Sequence, residues 1–78
     1  MNSEEIKKLQ QVVRIGRADL VIPKIAEEIR SRLTPKQLEP LKDMEKNIER
    51  GLNDDPTMDL EKFIENIVNL ARKNAFRP

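Results

Sequence analysis

Residues 11–25 read Gln11-Val12-Val13-Arg14-Ile15-Gly16-Arg17-Ala18-Asp19-Leu20-Val21-Ile22-Pro23-Lys24-Ile25, and the fold class turns on how this stretch is taken. Two runs rich in β-branched residues, 12–15 and 20–22, flank the turn-forming Gly16-Arg17-Ala18-Asp19. By itself that describes a short hairpin. Beside its neighbours it describes a corner between two helices. Upstream, Ile6, Leu9 and Val13 recur at i, i+3 and i+7 and share one helical face. Downstream, Ile22, Ile25, Ile29 and Leu33 continue the same periodicity, and Ala26 widens the stripe. An isolated two-stranded hairpin is marginal in water, and nothing else in the chain reads as a strand. The all-α reading follows, with a short hairpin over residues 12–22 as the alternative.

Working outward, the first helix is expected over residues 3–15. Asn2 or Ser3 caps it, Glu4 and Glu5 suit the positive end of its dipole, and Gly16 fits the position just past its end. A second helix spans 23–33 with Pro23 at its first position, where a missing N–H costs nothing. Thr34-Pro35-Lys36-Gln37 has the spacing of a capping box and opens a third segment. Pro40 interrupts that segment, and Glu39 before it is disfavoured in the α region. One turn over 35–39 and then a helix over 40–50 are expected, with Leu38, Leu41, Met44 and Ile48 inward and Gly51 as the stop. After the loop Asn53-Asp54-Asp55-Pro56, a fourth helix over 57–75 takes its cap from Asp55 or Thr57. It faces inward with Leu60, Phe63, Ile64, Ile67, Leu70 and Ala71, and the tail 76–78 is expected to fray. The architecture so read is one domain, residues 1–78, forming a small four-helix bundle whose third helix is kinked or interrupted at Pro40.

The chemistry the chain can carry is narrow. It holds no His, Cys, Trp or Tyr, so the commonest general base, the commonest metal ligand and the thiol nucleophile are all missing. Two glycines in 78 residues build no phosphate loop. The oxygens of Asn53, Asp54, Asp55, Thr57 and Asp59 lack the central Gly and closing Glu of a calcium loop, and read as a turn with a cap. No catalytic residue, metal or cofactor is expected, and the chain reads as non-enzymatic. No apolar run is long enough for a membrane helix or a secretory signal, which points to a cytoplasmic protein.

Binding is the remaining class. Lys and Arg number 15 against 14 Asp and Glu, a net charge of +1 that gives little reason to seek a polyanion. The 37% hydrophobic content is lean, and a chain this short without disulfide or metal gains from association. Val12, Val13, Ile15, Leu20, Val21, Ile22 and Ile25 offer more apolar directions than one helix face can bury. Val12, Ile15, Leu20, Val21 and Ile22 are therefore the candidate protein interface, for a homodimer at micromolar concentration and for an unidentified protein partner. In that reading Val21→Asp drives the dimer to monomer, or unfolds it, and Val68 marks the next candidate surface. The function so expected is a regulator or assembly factor. The alternative is a helix-turn-helix DNA-binding regulator pivoting at Leu33-Thr34-Pro35, with Arg30, Arg32, Lys36 and Gln37 toward nucleic acid. An accessory subunit of an enzyme is a third reading.

Overall fold

The computed structural model describes residues 2–41 and 43–75, and it is all-helical: none of these residues is in a strand. The helices are α1 (Ser3–Arg14), α2 (Ile22–Ser31), α3 (Pro35–Leu38), α4 (Met44–Asp54) and α5 (Leu60–Ala75), with a 3-10 turn at Ala18–Leu20. Residues 12–22 therefore form a helix corner and no hairpin. The expected tail 76–78 lies outside the described residues.

Local chemistry accounts for most of the boundaries. The Asn2 side-chain oxygen accepts from the Glu5 N–H at 2.9 Å and caps α1. At its other end the Gly16 N–H reaches the Val13 carbonyl at 3.0 Å and the Arg17 N–H reaches Val12 at 3.1 Å. These are the paired bonds of a Schellman ending. That ending requires left-handed backbone at Gly16, which has a φ of 85°. A Cβ there would meet nothing within 4 Å, so conformation alone selects glycine. Helix α2 starts at Ile22, with Pro23 in its first turn and no side chain capping it.

The third segment is two helices. The capping box at Thr34 and Gln37 is complete: the Thr34 hydroxyl accepts from the Gln37 N–H at 3.3 Å, and the Gln37 amide oxygen accepts from the Thr34 N–H at 2.9 Å. Yet α3 stops at Leu38. Glu39 keeps helical angles despite the proline that follows, with φ −52° and ψ −46°. Pro40 stands in the next turn and helix resumes only at Met44, four residues later than expected. Among the described residues there are thus five helices, the expected third segment contributing two of them. Nor does Gly51 end α4, which runs on to Asp54. Its inward residues are Met44, Ile48 and Leu52 at intervals of four, while Leu41 is only half-buried.

Helix α5 starts at Leu60, and its cap is neither Asp55 nor Thr57. The Asp59 carboxylate accepts from the N–H groups of Glu61 (3.0 Å) and Lys62 (3.4 Å). Asp55 instead turns the loop by accepting from the Thr57 N–H (3.1 Å) and hydroxyl (2.6 Å). The inward face of α5 is Leu60, Ile64, Val68 and Ala71. Leu70 points outward, 60% exposed, and Phe63 and Ile67 flank the buried row. Helix α5 meets α4 at Gly51, where the Phe63 ring edge lies 3.0 Å from where a Cβ would stand.

Together the buried residues form one cluster drawn from α1, α2, α4 and α5. Helix α2 packs on α4, and an Arg30–Glu45 ion pair at 3.7 Å joins the C-terminal end of α2 to the N-terminal end of α4. The other end of α4 therefore lies beside the 3-10 turn, which it contacts. Helix α5 packs against α1, α2 and α3. The fold is elongated, with extents of 42 × 23 × 17 Å. Its radius of gyration is 12.4 Å, against about 11.5 Å for a compact chain of this length.

Candidate functional site

The corner between α1 and α2 divides the five candidate interface residues into three groups. Val21 is 1% exposed and belongs to the chain's own core, so it offers no surface. Val12 and Ile22 are half-buried and pack against that core. Ile15 and Leu20 remain outside, 74% and 55% exposed. The Schellman ending explains Ile15: it stands at the C-cap of α1, where the chain has left the helical face that carries Val13 inward. Leu20 is turned outward by the 3-10 turn, whose register sends Val21 in instead. Val21→Asp is therefore a core substitution, because it would bury an unpaired carboxylate. Val68, the next candidate surface, is likewise buried.

Charges surround the exposed pair. Arg14 is exposed at the end of α1. Arg17 and Asp19 face each other at 4.0 Å, with side chains 61% and 72% exposed. So open a pair contributes little to stability and can exchange partners at small cost. Asp54, ending α4, lies at the same end of the molecule. The corner thus carries both signs of charge and two exposed apolar side chains.

The four residues of the DNA reading fare differently. Arg30 pairs with Glu45. Arg32 donates two hydrogen bonds to one Glu28 carboxylate oxygen, at 3.1 and 3.2 Å. Gln37 spends its amide oxygen on the capping box. Lys36 is exposed. The helix meant to read bases, α3, is a single turn of four residues. A reading helix must lie along the major groove, and one turn has no such length.

Two polar residues in the core went unread in the sequence. Gln10 is 9% exposed, and its amide oxygen accepts from the Leu60 N–H at 2.8 Å. With Asp59 it completes the capping of α5, while its own amide nitrogen has no hydrogen-bond partner among the described residues. The available signal was position: Gln10 stands four residues after Ile6 and three before Val13, inside the inward row. Glu28 is buried on α2, held by Arg32 and by the Ser31 hydroxyl at 3.3 Å. Burial pushes its carboxyl up, but charge-assisted hydrogen bonds, Arg32's among them, outweigh this and hold it below the ordinary carboxylate value. Arg72 extends the network by donating to the Arg32 carbonyl at 3.3 Å, tying α5 to the end of α2.

Two hollows mark the surface. One of about 520 Å³ lies between α1 and α2, lined by Glu5, Lys8, Leu9, Lys24, Glu27, Glu28 and Ser31. The other, about 370 Å³, lies around Leu70 on α5 with Asn66, Asn69 and Lys73. Among the described residues no group of three or more His, Cys, Asp or Glu converges to hold a metal ion. None of the described helices is long and apolar enough to cross a membrane. Set against family models, curated proteins and solved structures, the chain matches none.

Proposed function

We propose that this chain is a small non-enzymatic interaction module, a regulator or assembly factor, that works by binding protein through its α1–α2 corner. A second copy and another protein are the partners considered. The observation that carries this reading is the exposure of Ile15 and Leu20 on one short connection, 74% and 55% open to solvent. Large aliphatic side chains held in water at a rigid corner favour a partner that can cover them. The supporting frame is read as a four-helix bundle of α1, α2, α4 and α5, with α3 as a one-turn brace at the break around Pro40.

Photo-crosslinking tests it. A benzophenone amino acid placed at position 20 and irradiated in the native lysate should form protein adducts, and Ile15→Glu in the same chain should abolish them. No adduct, or adducts only to nucleic acid, would overturn the reading.

A further inference from the structure

We propose that the occupant of the corner is a second copy of this chain, in a two-fold dimer. It buries Ile15 and Leu20 of each protomer at its centre and sets Arg17 of each against Asp19 of the other. This rests on the reading of the corner as a protein-binding surface.

Two observations support a second copy. The first is charge. A two-fold contact is isologous, so a residue i that meets j must also have j meet i. Arg17 and Asp19 supply opposite signs two residues apart on one exposed turn, which satisfies that rule. Their mutual contact, at 4.0 Å and open to water, is weak enough to be traded for two crossed pairs. Copies of a chain with net charge +1 also repel one another little. The second is access. Gly16 lies between the two apolar residues, and a side chain built there would touch nothing within 4 Å. Among the described residues nothing covers Gly16.

Sedimentation equilibrium from nanomolar to high micromolar concentration is the experiment. The wild-type chain should pass from its 9.1 kDa monomer to a mass twice that and no larger. Ile15→Glu should stay monomeric with an unchanged helical circular dichroism spectrum, since Ile15 is exposed within its own fold. Arg17→Glu and Asp19→Lys should each weaken self-association by about tenfold or more, because each sets like charges together twice. Mixed one to one, those two variants should form a heterodimer, since both crossed pairs are then opposite in sign. A wild-type monomer throughout, or masses that grow without limit, overturns the proposal. So does a dimer that survives Ile15→Glu, or a mixture that associates no better than its components. A monomeric chain that still gives position-20 adducts to other proteins would sink the dimer and leave the protein-binding reading standing.

Discussion

At the scale of single residues, what the sequence states openly are the caps. Asn2, Gly16 and the Thr34–Gln37 pair act locally, within a few residues of chain, so spacing alone exposes them. Gln10 was not legible because its partner is decided by packing; Glu28 has its partners Ser31 and Arg32 within one turn of its own helix, and only its burial is set by packing. Leu60 is fifty residues from Gln10, and nothing along the chain says that an amide will meet the first N–H of α5. Glu27 and Glu28 both line the hollow between α1 and α2, yet Glu27 is exposed and Glu28 is buried. Its environment has a consequence in acid. The carboxyl's pKa is lowered in the folded chain, so its ionised form favours folding. That contribution is present above the ordinary value of 4.5 and is lost as pH falls through the lowered one. The urea midpoint of the wild-type chain should therefore fall more steeply below pH 4.5 than that of Glu28→Gln. Parallel curves for the two proteins would show that Glu28 titrates as it does in the unfolded chain.

At the scale of elements, helical periodicity gives the number and rough position of the long helices but leaves their rotation open. Leu60, Phe63, Ile67 and Leu70 form one admissible stripe on α5; Leu60, Ile64, Val68 and Ala71 form another about one residue's turn away. The choice is made by packing on α1, α2 and α3, which no single-helix pattern contains, and it leaves the Phe63 ring lying on Gly51. The same contact explains a glycine in the interior of α4, where alanine is ordinarily favoured by about 1 kcal/mol. A double-mutant cycle isolates it. Phe63→Ala alone should cost about 2 kcal/mol, below the 3–5 of a fully buried phenylalanine, because the ring is only half-buried. In that background Gly51→Ala should stabilise by about 1 kcal/mol, its full helical preference. With Phe63 present the ring must move aside, and most of that gain should disappear. Equal effects of Gly51→Ala in both backgrounds would mean that Phe63 does not select the glycine.

At the scale of the whole molecule, the question is whether association makes the fold or follows it. The lean composition argued that a single chain is marginal and that residues 12–25 complete its core in a partner. The structure relocates that argument. Val13, Val21 and Ile25 are fully buried within one chain, alongside Ile29, Ile48, Leu52, Leu60 and Ile64. What the corner leaves over is two side chains, Ile15 and Leu20, and not a missing half of the core. In the proposed dimer, pairing would add stability to a chain already folded, because only the folded chain presents the corner. Mass action then makes the thermal midpoint depend on concentration. Well above the dimer's dissociation constant, a hundredfold rise in concentration should add about 1.4 kcal/mol of apparent stability per chain, because free monomer rises only about tenfold. For a domain of this size that moves the midpoint by roughly five to ten degrees. Ile15→Glu should unfold at one midpoint at every concentration, matching the wild-type chain at its most dilute. A wild-type midpoint that is flat over the same range would show that the copies do not pair. A variant that melts far below the dilute wild-type chain would place Ile15 inside the fold, against its exposure at the end of α1.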